Sequence, residues 1–232
     1  MGLLLKEVVP WGRSLAEYEA MFALGEGERD ARLLGCGDGP ASFNAGWTRR
    51  GGQVVSVDPL YAFAREAIQA RITETFATVM AQMALNQAQY RWEAMGSVAE
   101  LGRVRQAAMA DFLEDFPQGR RQGRYVAAGL PDLPFADDAF DLALCSHFLF
   151  LYSAHHNLAF HVRALREMLR LAPEVRVFPL LTLDGVLSPH VVPVMELLAG
   201  EGIGCERVRV AYEFQRGGDE MLKLTRQARK KR

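Results

Sequence analysis

The 232-residue sequence is short of several features that would each point to a particular kind of protein. It has three cysteines and a net charge of −1, and no apolar stretch approaches membrane-spanning length. Cys36, Cys145 and Cys205 form no C-x-x-C pair and are odd in number, so we expect free thiols in a reducing compartment. The nearly neutral net charge gives no electrostatic reason to expect nucleic acid or a membrane surface as a partner.

The first residues also lack a targeting signal. The stretch from Met1 to Lys6 has no long apolar run of the kind that defines a signal peptide, and Lys6 stands where a myristoylation signal carries Ser or Thr. We therefore expect a soluble, cytoplasmic protein. Half of the residues are hydrophobic, and the length suits a single α/β domain over residues 1–232.

What the sequence does contain is a glycine-dense turn between a short apolar strand and a helix. The turn is followed by Pro40, which suits the first position of a helix. Glycines let a backbone approach a ligand closely, and a helix N-terminus offers free N–H groups to it. The residues of this turn that we expect to bind a ligand are Gly35, Cys36, Gly37, Asp38 and Gly39.

A second apolar strand, Gln53 to Val57, leads directly into the acid Asp58. In dinucleotide-binding folds, an acid about 20 residues beyond the glycine turn lies at the tip of the second strand and accepts hydrogen bonds from ribose hydroxyls. Asp58 and its neighbour Pro59 are therefore predicted to contact a nucleoside-containing cofactor. A tight turn without a ligand is the alternative, and the spacing to Asp58 argues against it.

A third stretch, Leu133 to His147, resembles the segment that leads into the fourth strand of class I S-adenosylmethionine-dependent methyltransferases. The G-x-G-x-G spacing of the turn and the pair Val57-Asp58 resemble cofactor motifs of the same family, whereas nicotinamide enzymes carry G-x-G-x-x-G. The resemblance covers roughly residues 30 to 60 and 125 to 225. It implies a Rossmann-like α/β fold, with a doubly wound, mostly parallel seven-stranded sheet whose last strand is antiparallel. It also implies S-adenosylmethionine as the cofactor and methyl transfer to a small-molecule acceptor.

Two positions depart from the family's pattern. Leu33 stands where the family usually carries an acid two residues before the first glycine, and Gly129 stands where an acid often holds the adenine amino group. Gly129 leaves adenine recognition to backbone groups and apolar packing, for which Leu130 is the predicted contact. A non-catalytic protein that has kept the fold is therefore one alternative, and a nicotinamide-dependent oxidoreductase is a second.

The fourth strand is expected to deliver Ser146 and His147 to the edge of the sheet where ligands bind. Methyl transfer from a sulfonium needs alignment and exclusion of water more than covalent help, and a base only where the nucleophile must lose a proton. His147 is the candidate base or orienting residue, with a purely structural histidine as the alternative, and Ser146 is a candidate cofactor contact. The pair lacks the prolines of the Asn-Pro-Pro motif in nucleic-acid amino methyltransferases, so nucleic-acid bases are not the expected substrates.

The remaining polar candidates carry weaker signals. Arg216 and Asp219, between the last two strands, are candidates for holding a polar substrate. The other histidines match no zinc pattern, so we predict no metal site and place them on a polar loop and helix face: His155, His156 and His161. The basic residues from Arg226 to Arg232 are assigned no nucleic-acid role.

About 65 residues separate Asp58 from the next strand, near Tyr125, which is many more than a crossover helix needs. Their apolar stripes predict two amphipathic helices in an insert at about 62–120, the second of them closed by Pro117 and the run Gly119 to Gly123. We expect this insert to cover the ligand cleft, because it leaves the sheet at the end where ligands bind. The residues predicted to line the acceptor pocket are Phe76, Met80 and Phe112. Mutual packing of the two helices, without a covering role, is the alternative.

Overall fold

The computed structural model describes residues 9–226, so the predictions for Met1 to Lys6 and for residues 227–232 lie outside it. Within these residues, seven strands form one sheet. The strands are β1 (Arg32–Cys36), β2 (Gln53–Val57), β3 (Tyr125–Val126), β4 (Leu142–Ser146), β5 (Glu174–Phe178), β6 (Gly204–Arg209) and β7 (Glu220–Thr225). The principal helices are α1 (Leu15–Phe22), α2 (Phe43–Arg49), α3 (Arg65–Leu85), α4 (Val98–Arg121), α5 (Leu158–Leu171) and α6 (Val191–Gly200).

The strand order is β3-β2-β1-β4-β5-β7-β6. Every neighbouring pair runs parallel except those of β7, which is antiparallel to both β5 and β6. Strand β1 is the point at which the strand order changes side, because β2 pairs with it on one edge and β4 on the other. The predicted fold, a doubly wound and mostly parallel seven-stranded sheet with an antiparallel last strand, is confirmed.

The two faces of the sheet are covered by different helices. Successive side chains of a strand point to opposite faces, and on β1 Leu34 packs in the apolar layer that contains residues of α5 and α6. Leu33 faces the other way and packs with Phe43, Trp47 and other apolar residues of α1 and α2. Phe43 and Trp47, which are four residues apart on α2, therefore both face the sheet. Within the described residues, no helix has the length and hydropathy needed to cross a membrane.

The predicted start of α2 at Pro40 is wrong, because the helix begins at Phe43. Residues 40–42 instead extend the glycine turn and pack against the segment before α1. The Ser42 N–H donates to the carbonyl oxygen of Arg13 at a distance of 3.0 Å. A Cβ at Gly12 would lie 2.0 Å from the carbonyl oxygen of Pro40, so only glycine permits this approach. This contact holds Arg13 close to the glycine turn.

The insert consists of α3, α4 and the chain between them. At one end, Ile68 and Ile72 of α3 and Phe112 and Phe116 of α4 form a cluster of buried residues with Tyr61 and others. The second helix ends within the run Gly119 to Gly123, as predicted, since α4 continues to Arg121, but Pro117 lies inside the helix instead of closing it. Proline in a helix removes one N–H and frees the carbonyl four residues earlier. Here that carbonyl, of Leu113, accepts a hydrogen bond from Arg65 Nε at 2.9 Å.

A buried ion pair joins the insert to α1. Arg105 of α4 donates from Nη1 and Nη2 to the two carboxylate oxygens of Glu17, each at a distance of 2.6 Å. The Glu17 carboxylate also accepts from the hydroxyl of Tyr212 and from the N–H of Ser14, both at 2.9 Å. Burial alone would raise the pKa of Glu17, but the charge and hydrogen bonds of Arg105 outweigh it and lower that pKa to about 2. Glu17 is therefore ionised throughout the neutral range.

We expect Arg105→Ala to lower the free energy of unfolding by about 3–5 kcal/mol, because it leaves the Glu17 carboxylate buried without its cationic partner. Arg105→Met combined with Glu17→Gln should recover most of that loss, since neither charge then remains. Urea denaturation measures both. Arg103→Ala is the matched control, because Arg103 lies on the same helix but is exposed and pairs with Glu100. A loss for Arg105→Ala as small as that of the control, at most about 1 kcal/mol, would contradict a structural role.

Candidate functional site

The carboxyl ends of the central strands open into one cavity of about 660 Å³. A cavity at this edge is the expected ligand site of an open α/β sheet, and its volume lies within the usual range for such sites. Its wall is formed by the glycine turn, the strand tips, residues 9–13, part of the insert and the chain between β6 and β7. The sequence-predicted residues on this wall are Gly37, Asp38, Gly39, Asp58, Pro59, Leu130, Ser146 and His147.

The glycine turn has a backbone that requires glycine. Gly37 has φ +70° and Gly39 has φ +53°, which is the left-handed region that side chains disfavour. A Cβ at Gly37 would also lie 3.0 Å from the Cβ of Phe148. The turn is anchored to β2, since the N–H of Gly37 donates to the carbonyl oxygen of Val57 at 2.9 Å. The turn is thus held with its backbone against the cavity.

Asp58 connects the tip of β2 to this turn. One carboxylate oxygen accepts from the N–H of Gly39 at 2.9 Å, and the other accepts from the N–H of Leu60 at 2.8 Å. Burial raises the pKa of Asp58 above its usual value, while these two hydrogen bonds act against the rise. A carboxylate has about four acceptor positions. About two therefore remain for a ligand in the cavity.

Asp38 turns its carboxylate away from the turn and into the protein. It accepts from the hydroxyl of Tyr18 at 2.9 Å and from that of Ser56 at 2.6 Å. Burial raises its pKa from 3.8 to about 6, although both hydrogen bonds act in the opposite direction. A Cβ at Gly35 would lie 1.9 Å from this carboxylate. Gly35 therefore makes room for Asp38, and neither Gly35 nor the buried Cys36 is among the described residues of the cavity wall.

His147 lies at the tip of β4 in an unusual backbone conformation, with φ +52°. Its N–H donates to the carbonyl oxygen of Phe178 at 2.6 Å, which fixes it against β5. Its Nδ1 lies 2.9 Å from the hydroxyl oxygen of Ser146. When Nδ1 carries the proton and donates to Ser146, Nε2 is free to accept one. Burial, followed by the charges of Arg13 and Arg105, lowers the pKa of His147 well below its usual value, so the ring is neutral at neutral pH.

The far side of the cavity is aromatic, and its residues were missed by the sequence reasoning. The ring of Phe214 stacks on that of Tyr90 with centroids 4.8 Å apart and an angle of 19°. Tyr212 meets Phe178 edge to face at 5.7 Å. These residues and Tyr152 come from segments far apart in the chain, so only the fold shows that they share a wall. Arg13 also lies on this wall.

The insert does line the cavity, but through other residues than those predicted. Ile68, Val79 and Met83 of α3 lie on the wall, whereas none of the three predicted residues is among the described residues there. The prediction of Phe76, Met80 and Phe112 as lining residues is corrected accordingly. These three side chains pack inside the insert or against residues next to it. Phe112 is fully buried between the helices, the Met80 methyl group packs on Gly102 of α4, and the Phe76 ring packs near Trp11 at 5.6 Å.

Arg216 and Asp219 are likewise absent from the described wall. Arg216 holds the tip of the insert instead, because its N–H donates to the carbonyl oxygen of Gln89 and its Nε to that of Ala88, both at 2.9 Å. Asp219 lies 3.9 Å from Arg209 on β6. Both predicted substrate contacts are therefore corrected to contacts within the protein.

Further contacts join the insert to the chain between β6 and β7. The N–H of Arg91 donates to the carbonyl oxygen of Phe214 at 2.7 Å, and Arg91 pairs with Glu213 at 2.8 Å. Tyr90 and Gln215 form an antiparallel bridge between the same two segments. We call residues 88–91 and 213–216 the latch, because they join the insert to the chain between β6 and β7 at the cavity wall, where Tyr90, Phe214 and Gln215 lie.

The histidine of α5 serves packing. His161, placed on a polar helix face by the sequence reasoning, is fully buried. Its Nδ1 lies 2.9 Å from the carbonyl oxygen of Asn157, and its Nε2 lies 3.0 Å from that of Leu149. Within residues 9–226, no group of three or more His, Cys, Asp or Glu side chains is arranged to hold a metal ion.

Comparison with known proteins yields one curated relative and a set of distant structures. No family model matches the chain. An uncharacterized protein of Methanocaldococcus jannaschii is 29% identical over 224 residues, which cover 96% of this chain and 98% of the relative. The similarity thus extends over nearly the whole of both chains, glycine turn and insert included.

The similar solved structures include methyltransferases. Magnesium protoporphyrin IX methyltransferase from Synechocystis PCC 6803, with bound S-adenosylmethionine, has a TM-score of 0.48 at 10% identity, and the match covers 92% of this chain and 78% of that one. A putative S-adenosylmethionine-dependent methyltransferase from Methanococcus maripaludis has a TM-score of 0.47 at 10% identity, over 94% and 84% of the two chains. At these values the likeness carries no argument about activity, which has to come from the site.

We expect Asp38→Asn to stabilise the protein more at high pH than at low pH. The asparagine side chain can still form hydrogen bonds with Tyr18 and Ser56, but it cannot ionise. Because the pKa of Asp38 is raised from 3.8 to about 6, the folded state binds more protons than the unfolded state between these values, and wild-type stability falls as the pH rises through them. The variant should exceed the wild type by up to about 3 kcal/mol at pH 8 and by about 1 kcal/mol at pH 4.5.

Urea denaturation of both proteins at the two pH values measures this difference. Asp132→Asn is the matched control, because it makes the same change at an exposed carboxylate. A gap between the Asp38 variant and the wild type that is the same at pH 4.5 and pH 8 would contradict the raised pKa.

Proposed function

We propose that this protein is an S-adenosylmethionine-dependent methyltransferase that acts on a small-molecule acceptor. One observation carries the proposal: the glycine turn, with its left-handed residues Gly37 and Gly39, is hydrogen-bonded to the carboxylate of Asp58 at the wall of a large cavity. A glycine turn and a second-strand acid joined in this way are the elements that bind the nucleoside part of a cofactor in this class of fold.

The residues present fit the adenosine part of the cofactor. Asp58 has acceptor positions left for the two ribose hydroxyls, after those taken by Gly39 and Leu60. Pro59 and Leu130 provide apolar walls for a flat base. Gly129 allows this arrangement, because a Cβ there would lie 3.0 Å from the ring of Pro59. The adenine is therefore held by packing and backbone groups, without an acidic side chain at position 129.

When bound, the cofactor supplies an electrophilic methyl group on a sulfonium sulfur. The chain has to align an acceptor with that group and exclude water. The aromatic wall with Tyr90, Tyr152 and Phe178 provides a surface for the acceptor, and the latch lies beside it on the wall. His147 is neutral at neutral pH, so its Nε2 can accept a hydrogen bond from the acceptor and orient it. Its lowered pKa makes it a weak base, which favours the orienting role of the two predicted for it.

The same proposal covers the remaining predictions about setting and partners. A cytoplasmic location is supported by the three free thiols, of which Cys36 and Cys145 are buried. The described surface offers no membrane-spanning helix. A small acceptor, and not a nucleic acid, is supported by the closed, aromatic cavity. A cofactor-binding protein without activity is the alternative, and it predicts binding of S-adenosylmethionine with no turnover on any acceptor.

We expect Asp58→Asn to weaken binding of S-adenosylhomocysteine roughly 10- to 100-fold, because it removes charge-assisted hydrogen bonds to the ribose. Asparagine keeps one oxygen that can accept from the N–H of Gly39 or Leu60, so the turn should survive. Isothermal titration calorimetry measures the affinity, and circular dichroism checks the fold. Asp132→Asn, on the exposed surface, is the matched control and should bind as the wild type does.

A ligand-side comparison sharpens this test. An analogue of S-adenosylhomocysteine without the 2′ and 3′ hydroxyls should bind the wild type more weakly, and Asp58→Asn should then add little further loss. If the wild type does not bind S-adenosylhomocysteine, or if the loss from Asp58→Asn is equally large with the analogue, the proposed role of Asp58 is wrong.

We also expect S-adenosylhomocysteine to slow amide hydrogen exchange in α3 as well as in the glycine turn, since α3 lines the cavity through Ile68, Val79 and Met83. Arg216→Gln removes a side-chain hydrogen bond of the latch and should speed exchange at residues 86–92 in the ligand-free protein. The central strands β1 and β4 serve as the internal reference. Protection that rises only in the glycine turn and at Asp58 would show that the insert does not act as a cover.

A further inference from the structure

The cavity contains a cation that the proposed cofactor's adenosine site does not use. Arg13 lies on the cavity wall, between the Ser14 cap of α1 and the segment that packs on Pro40. Its Nη1 reaches the carbonyl oxygen of Trp11 at 3.3 Å. Its Nε is buried and has no hydrogen-bond partner among the described residues. Within residues 9–226, Arg13 also forms no ion pair.

The nearest carboxylate cannot serve as that partner. Glu17 already accepts two hydrogen bonds from Arg105, one from Tyr212 and two from Ser14. These bonds fill the acceptor positions of a carboxylate, which number about four. Two guanidinium groups, those of Arg13 and Arg105, therefore lie beside one available negative charge. The surplus positive charge is at Arg13, and it faces the cavity.

Arg13 is half-buried, and a guanidinium withdrawn from water without an ion pair is costly, so proteins pair such groups or use them to bind anions. Burial and then the charge of Arg105 lower the pKa of Arg13, which agrees with the shortage of negative charge around it. A ligand carboxylate would supply both the missing charge and the missing acceptor for Nε. Arg is also the side chain best shaped to bind a carboxylate with two parallel hydrogen bonds.

The position of Arg13 favours the acceptor half of the cavity. The adenosine contacts Asp58 and Leu130 follow β2 and β3, on one side of β1 in the sheet. Arg13 interacts electrostatically with His147, Tyr152 and Tyr212, which follow β4 and β6 on the other side.

The aromatic wall fits the same compartment. Tyr90 and Phe214 are stacked there, with Phe178 and Tyr212 beside them. Flat apolar groups pack well against such rings. The compartment therefore combines one unpaired cation with a surface for an aromatic or similarly flat body.

We propose that Arg13 binds a carboxylate group of the methyl acceptor, which is a small organic anion with a flat apolar body. This inference rests on the proposed function, because it takes the aromatic half of the cavity as the acceptor compartment. Arg13 acts as a binding residue that sets specificity for anions. The methionine carboxylate of the cofactor is the other source of the same chemistry, and the experiment below separates the two.

The probe is 4-fluorobenzoate, observed by ¹⁹F NMR with and without saturating S-adenosylhomocysteine. The wild type should bind it in both conditions, and the neutral isostere 4-fluorobenzamide should bind roughly 10- to 100-fold more weakly. Arg13→Gln should lose affinity for the benzoate by a similar factor and bind the amide as before. Arg13→Lys should recover part of the loss, since it restores the charge without the fork of donors.

Two further variants locate the anion. Arg103→Gln, on the exposed face of α4, should bind 4-fluorobenzoate as the wild type does. Arg71→Gln tests the other arginine on the cavity wall, and a loss confined to this variant would place the anion on α3 and overturn the proposal. Thermal melts of each variant show whether it is folded, and Arg13→Lys keeps the test open if Arg13→Gln is not.

Calorimetry with S-adenosylhomocysteine and 5′-methylthioadenosine identifies the source of the carboxylate, because only the first ligand has one. Arg13→Gln should leave the affinity for both unchanged. If it weakens S-adenosylhomocysteine alone, Arg13 holds the cofactor and the acceptor assignment is wrong. Binding of S-adenosylhomocysteine together with no binding of 4-fluorobenzoate to the wild type would overturn this inference and leave the proposed function intact.

Discussion

The buried carboxylate of Glu17 is the contact on which the arrangement of the cavity depends. It joins α1 to α4 of the insert through Arg105, and to the chain after β6 through Tyr212. These three parts are distant in sequence, and each contributes a wall of the cavity or supports one. The pairing also has an electrostatic consequence. Because Arg105 and its neighbours use up the acceptor capacity of Glu17, the charge of Arg13 is left to face the cavity.

The glycine turn follows a second constraint, which is the room that its own carboxylate needs. Leu33 is packed against α1 and α2, so the position that usually carries an acid in class I methyltransferases is part of the apolar core. A buried carboxylate nevertheless lies under the turn, supplied by Asp38 and held by Tyr18 and Ser56. Gly35 makes this possible, since any side chain there would overlap Asp38. Position 33 therefore carries no acid, and the carboxylate of Asp38 lies close to the same stretch of backbone instead.

The sequence predicted those parts of the molecule whose signals are local. The mostly parallel seven-stranded sheet with an antiparallel last strand followed from the resemblance, and the glycine turn and Asp58 followed from residue types and spacing within about 20 residues. Within the insert the helices were predictable, but their orientation was not: Val79 and Met80 are adjacent and both apolar, and only the packing against Gly102 decides that Met80 faces α4. The role of Arg216 depends on backbone carbonyls more than 100 residues away, which no local pattern encodes.

The charges of the cavity are segregated across the sheet, and this bears on how a reaction there would be oriented. Asp38 and Asp58 lie at the glycine turn and beside β2, whereas the guanidinium of Arg13 interacts with residues that follow β4 and β6. A cationic ligand is favoured on the first side and an anionic one on the second, because Coulomb interactions are weakly screened in a closed cavity. His147 lies between the two sides. Burial, and then the charges of Arg13 and Arg105, lower its pKa, so the ring stays neutral and does not compete for the anion.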